Sequence, residues 1–142
     1  MNTLLLIASF VVVVGASARF EATLVQATVT LRCKKPWATH AKVFLMEEDY
    51  NHNLLDEDDT MDFGTYEFTR VPEMKLSLRG EEFEMSGLEP YLFVSHACNA
   101  KKDQWKELII PLFDTMYRSR RFDVVIDLDR EESVIIPSLI YP

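Results

Sequence analysis

From Val25 to Asp129 the chain sets apolar against polar residues with a period of two. In V-Q-A-T-V-T-L-R-C, Val25, Ala27, Val29, Leu31 and Cys33 alternate with Gln26, Thr28, Thr30 and Arg32, the spacing of a strand with one buried face. M-K-L-S-L-R opposes Met74, Leu76 and Leu78 to Lys75, Ser77 and Arg79, and R-F-D-V-V-I-D-L-D opposes Phe122, Val124, Ile126 and Leu128 to Asp123, Asp127 and Asp129. T-Y-E-F-T places Tyr66 and Phe68 on one side, and P-Y-L-F-V-S-H-A-C opens on Pro90. A-K-V-F-L-M-E is apolar on both parities, which predicts a central strand, while Pro111 within K-E-L-I-I-P-L-F predicts an edge or a strand end. Seven short strands punctuated by turn residues predict an all-β sandwich. The one candidate helical turn is E-E-F-E-M, Glu81 to Met85.

The first 18 residues break this pattern. Leu4 to Val14 is apolar apart from one serine, and Ala16-Ser17-Ala18 follows. A short apolar core ending in small residues two apart is the layout of a secretory signal peptide, and it is shorter than the roughly 20 residues a membrane span needs. Residues 1–18 are therefore expected to be a cleaved leader and residues 19–142 one extracellular, soluble domain. The formal charge is −8, with 15 Lys and Arg against 23 Asp and Glu, and the leader contributes none of it. That balance disfavours nucleic acid and gives no general attraction to anionic membranes. No N-glycosylation sequon, repeat or low-complexity linker occurs.

His96 and Cys98 stand two apart and are the reactive-looking pair. Register assigns them. Cys33 shares parity with Val29 and Leu31, and Cys98 with Leu92 and Val94, so both should face the interior at the ends of their strands. They are the sole cysteines of a chain expected in an oxidising compartment, which predicts an inter-sheet disulfide worth roughly 4 kcal/mol by chain entropy. A catalytic thiol would have to be reduced and exposed. Zinc would need three or four ligands, and His40 and His52 have no ligand-like spacing to His96. His96 is then expected to be a packed, hydrogen-bonded side chain rather than a base.

These residues resemble the secreted transthyretin-like family of nematodes. The resemblance is carried by T-L-R-C ending at Cys33, Lys35-Pro36, Ala41 to Leu45, Asp62, Gly64 and Tyr66, and the strand with Pro90, Tyr91, His96 and Cys98. The late segments E-L-I-I-P-L-F-D and F-D-V-V-I-D-L-D are also similar to the family's final hairpin. Together these cover about Val25 to Asp129. The Lys-Pro turn departs from the pattern in lacking a glycine, extra residues lie around Val71 to Leu78, and the further cysteines of many relatives are missing. The resemblance implies a transthyretin-like, immunoglobulin-like Greek-key sandwich of seven to eight strands, secretion and an extracellular binding role, with no cofactor. Some relatives recognise phosphatidylserine on dying cells. Hydrolases of the same fold end in Tyr-Arg-Gly-Ser, whereas this chain ends S-L-I-Y-P and carries Tyr-Arg-Ser internally at Tyr117 to Ser119, so no enzymatic activity is expected.

Other chemistry is weaker. D-E-D-D-T-M-D-F-G-T-Y-E, Asp56 to Glu67, echoes a calcium loop but has Met61 where the sharp turn needs glycine. A solvated acidic turn is expected instead, with Asp62 and Gly64 supplying hairpin chemistry. Arg118, Arg120 and Arg121 form the one basic cluster and are candidate contacts for an anionic ligand, since guanidinium binds carboxylate or phosphate bidentately. Lys35 and Trp37 are candidate turn contacts. The function expected is non-catalytic recognition of an extracellular protein or lipid headgroup. The alternatives are an extracellular carrier of a small hydrophobic ligand or lipid, and a structural extracellular or cuticle-associated protein.

Overall fold

The computed structural model describes residues 21–34, 37–48, 58–69, 71–83, 85–101 and 104–140. The expected leader, the Lys35-Pro36 turn and Asp56 lie outside them. Eight strands run in chain order: β1 Thr23–Arg32, β2 Trp37–Glu47, β3 Asp59–Thr69, β4 Glu73–Glu82, β5 Pro90–His96, β6 Lys106–Pro111, β7 Arg120–Asp127 and β8 Glu132–Leu139. They form two four-stranded sheets, β4-β1-β7-β8 and β3-β2-β5-β6. Every pairing is antiparallel except β1 with β7, which are neighbours in the sheet although β2 to β6 separate them in the chain.

The period of two decides what is inside. Val25, Ala27, Val29 and Leu31 of β1 lie beside Arg120, Phe122, Val124 and Ile126 of β7 in parallel register, and all but Arg120 are buried. Facing them, Ala41, Val43 and Leu45 of β2 are paired with His96, Val94 and Leu92 of β5, also buried. The central position expected for the strand from Ala41 holds, and β6 is an edge strand ending at Pro111. Among the described residues no helix is long and apolar enough to cross a membrane.

Three expectations are corrected. Glu81 to Met85 contains no helical turn among its described residues: β4 continues to Glu82 because Thr23 and Leu24 of β1 pair with Glu82 and Glu81. Gly64 is not in a hairpin turn. It lies inside β3 opposite Val43, where a Cβ would meet the Tyr66 ring at 3.3 Å. Asp62 is likewise a strand residue, and its carboxylate accepts from the Phe63 amide at 2.8 Å and the Arg79 amide at 2.9 Å, tying the edge of one sheet to the edge of the other. The eight strands fall within the seven to eight expected, and β8 is the one that the alternation does not mark. It follows a tight turn in which Asp127 Oδ1 accepts from the Asp129 and Arg130 amides at 3.1 and 3.2 Å and Glu131 takes a φ of 59°. Pro137 is tolerated in β8 because β8 is an edge strand.

Where β3 and β4 bring the two sheets together, Gly80 allows a close approach: a Cβ there would lie 2.5 Å from Met61 Cβ. That atom is fixed by the backbone and cannot swing away. Gly80→Ala is therefore expected to destabilise the fold by about 1–3 kcal/mol, as overpacking does. Gly64→Ala, which meets the Tyr66 ring at 3.3 Å and Leu76 Cδ1 at 3.7 Å, should cost less. Urea denaturation of the two variants checks this, and equal losses would contradict it.

Candidate functional site

Cys33 directly follows β1 and Cys98 lies two residues past the end of β5, one in each sheet. Their Cα atoms are 6.0 Å apart, the sulfurs are joined in a disulfide, and both residues are buried. Further contacts gather at this end. The Cys33 amide donates to the Pro72 carbonyl at 3.0 Å and the Leu128 amide to the Arg32 carbonyl at 2.9 Å. Asp129, which sequence reading passed over as a polar member of an alternating strand, accepts from the Lys34 amide at 2.6 Å through Oδ2 and from the Asn99 side chain through Oδ1. Asn99 itself has a φ of 52°, a left-handed conformation that asparagine tolerates better than most residues. The loops after β1, β5 and β7 are thereby fastened to one another.

His96 sits under this closure with no exposed surface, opposite the small Ala41. The Cys98 amide donates to its Nδ1 at 3.2 Å, so a neutral ring carries its proton on Nε2. Nε2 has no hydrogen-bond partner. Burial pushes the imidazole below its ordinary value of 6.5, and the Lys106 charge pushes the same way. The Glu131 and Asp129 carboxylates oppose them. The expected packed histidine is present, with one nitrogen satisfied. As a general base it would need a free lone pair facing a proton to abstract, but Nδ1 is engaged and Cys98 has no thiol. Nor can Cys33, Cys98 and Asp129, whose ligand atoms lie within 4.8 Å of one another, hold a metal as they stand. The sulfurs are bonded together and the carboxylate already accepts two donors.

The arginines do not converge as the sequence suggests. Arg118 is exposed in the loop before β7, but Arg120 and Arg121 are the first residues of β7 and alternate across it. Arg120 turns toward the inner side, with its guanidinium 4.2 Å from the centre of the Phe113 ring and its Nε buried without a partner. Arg121 points outward and donates through Nε and Nη2 to Gln26 Oε1 at 3.3 and 3.0 Å. Arg118 instead borders a half-open cavity of about 420 Å³, with Leu24, Tyr117, Ser119, Leu139 and Ile140 on its walls. Of the turn contacts, Trp37 begins β2 and Lys35 lies outside the described residues.

The position of His96 has a consequence for stability. The unfolded chain takes up the histidine proton near 6.5, whereas the native chain resists it to lower pH. The unfolded state therefore binds more protons as pH falls, and stability is lost. The contribution of the neutral ring is complete above the ordinary value and drains away as pH drops toward the lowered native one. Unfolding free energy should decline as pH falls below the ordinary histidine value, and His96→Gln should make that decline shallower. Urea titrations at several pH values check this, and identical slopes would contradict it.

The sequence model of the transthyretin-like family matches residues 29–111, which takes in the paired cysteines and all of β2 to β6. No curated protein sequence matches the chain. Among solved structures, one described as "Trapped Toxin" is similar over 84% of this chain and 24% of its own, at 9% identity and a TM-score of 0.37. The human-specific toxin intermedilysin is similar over 82% of this chain and 24% of its own, at 9% identity and a TM-score of 0.32. The chain thus spans about a quarter of either toxin, and likeness at these scores carries no functional meaning. The family match extends over more than half of the sequence and falls on an eight-stranded, disulfide-closed sandwich, and the chain belongs to the transthyretin-like family.

Proposed function

We propose that this protein is a secreted, non-catalytic recognition domain, and that the segment from Tyr117 to Arg121 contacts an anionic surface such as a lipid headgroup or an acidic receptor patch. The observation that carries the reading is the engagement of the reactive-looking pair by structure. Cys98 is bonded to Cys33, and His96 is buried with its Nδ1 occupied by the Cys98 amide. A disulfide-closed sandwich is a rigid platform whose loops vary without disturbing the core. The leader expected in residues 1–18 and the oxidised cysteines support secretion.

Within the contact segment the three arginines have different roles. Arg118 is exposed beside the exposed Tyr117, and Arg121 projects outward from the start of β7. Arg120 serves the fold, because its guanidinium lies on Phe113. The cavity beside Arg118 gives a second reading some support, since about 420 Å³ bordered by Leu24, Leu139 and Ile140 falls within the size range of small-molecule sites. A carrier of a small apolar ligand would use that space.

Arg118→Ala/Arg121→Ala should weaken binding to phosphatidylserine-containing vesicles about ten-fold at low salt and leave the melting temperature nearly unchanged. Arg120→Ala should lower the melting temperature instead. Vesicle cosedimentation at two salt concentrations, with phosphatidylcholine vesicles as reference, reads the first effect, because contacts between exposed charges are screened by salt. Wild-type protein that ignores anionic vesicles, or a double variant that binds as well as wild type, would overturn the reading.

A further inference from the structure

The two outer faces of the sandwich differ. Across the sheet β4-β1-β7-β8 one outward row reads Arg79–Gln26–Arg121–Ser138 and the next Ser77–Thr28–Asp123–Ile136, so exposed Val134 and Ile136 of the edge strand stand on a mostly polar face. Across β3-β2-β5-β6 an outward row reads Phe63–Phe44–Phe93–Ile109. Phe44 and Phe63 stack at 5.9 Å between ring centroids, and Phe44 and Phe93 lie at 6.0 Å. Phe63 is 63% exposed and Ile109 69% exposed. The row crosses the full width of the sheet, three inter-strand steps or about 15 Å. One row further toward the ends of the strands, Met46, Tyr91 and Pro111 lie side by side in register and extend the apolar surface.

At that end the apolar surface runs into a groove of about 420 Å³ whose apolar walls are Tyr91, Ile109, Pro111 and Phe113. Ile109 belongs to both the row and the groove. The charged residues lining it are Glu48, Asp58, Glu89 and Asp114, and no lysine or arginine is among them. Two of these carboxylates are held in place, Asp58 accepting from the Tyr91 hydroxyl at 2.6 Å and Glu89 from the Thr115 hydroxyl at 3.1 Å. On a chain of net charge −8, this acid-rimmed end would repel the same end of a second copy. It suits an occupant that brings apolar side chains to the row and positive charge to the rim.

We infer that the outer face of the β3-β2-β5-β6 sheet is a docking surface for a cationic, amphipathic segment of a partner protein. The apolar side of that segment covers Phe63, Phe44, Phe93 and Ile109, and its lysines or arginines meet Glu48, Asp58, Glu89 and Asp114. A helix of about ten residues is as long as the row is wide, so a segment of that size covers it. The inference stands apart from the arginine contact proposed above, because Arg121 projects from the opposite sheet.

The test uses the oxidised protein and a short peptide with leucines at helical i, i+3 and i+4 spacing and lysines on the flanks. Fluorescence anisotropy should show saturable binding of this peptide. Binding should drop at least ten-fold when glutamate replaces lysine in the peptide or serine replaces leucine. On the protein, Phe63→Ser/Ile109→Ser and, separately, Glu48→Gln/Asp58→Asn should each weaken binding at least ten-fold. Asp123→Asn, which removes a carboxylate from the other outer face, should leave it unchanged. Thermal melts confirm that the variants fold, as expected for exposed positions. Three results would each overturn the inference: indifference to the peptide's charge, equal binding by the Phe63/Ile109 variant, or an Asp123 effect as large as that of Glu48/Asp58. A dimer in sedimentation that Phe63→Ser/Ile109→Ser dissociates would also overturn it, by assigning the face to a second copy.

Discussion

One covalent bond joins the two sheets, and the arrangement at that end depends on it. The Cys33–Cys98 disulfide links the end of β1 to the end of β5. Around it the Asp129 carboxylate gathers Lys34 and Asn99, and Leu128 returns to Arg32. Three chain segments that would otherwise fray are tied together, in keeping with a bond that limits the freedom of the unfolded chain. The same closure keeps His96 dry. A buried imidazole with one nitrogen engaged and the other unpartnered is costly to protonate, so a residue that looks reactive in the sequence becomes part of the packing.

With that end closed and the interior filled by alternating aliphatic residues, the outside of the molecule carries what remains distinctive. The two outer faces are unlike: across one a row of arginine, glutamine and serine runs beside rows with exposed Val134 and Ile136, and across the other lies an unbroken row of three phenylalanines and an isoleucine. The loop before β7 adds exposed Arg118 and Tyr117 beside an open cavity. A member of the transthyretin-like family can work in this way, as a rigid body that presents distinct surfaces to distinct partners. Fold alone does not choose among them.

Much of this was legible in the sequence because strand parity is local. The alternation in β1 and β5 is enough to place Cys33 and Cys98 inward, and two cysteines allow one intramolecular pairing. Pro111 marked an edge strand for the same local reason. What escaped depended on partners distant in sequence. Gly64 carries a turn residue's composition, but its pairing with Val43 makes it a strand residue. Glu81 and Glu82 were ambiguous until β1 claimed them. β8 shows no buried alternation because its Val134 and Ile136 are exposed, so the usual signal of a half-buried strand was absent. The phenylalanine row was hidden most fully. Phe44 and Phe93 each read as extra apolar residues of a central strand, and only the cross-strand register shows that they align. The arginine cluster, compact in sequence, is divided by the period of two once β7 begins at Arg120.

The central claim is that the cysteine pair is a structural staple on which the closed end of the sandwich depends. Equilibrium unfolding of the oxidised protein against Cys33→Ala/Cys98→Ala tests it most directly. The double variant should lose about 2–5 kcal/mol and keep its β-sheet circular dichroism below the transition. Unchanged stability in the double variant, or two titratable thiols in the folded wild-type protein, would contradict the account.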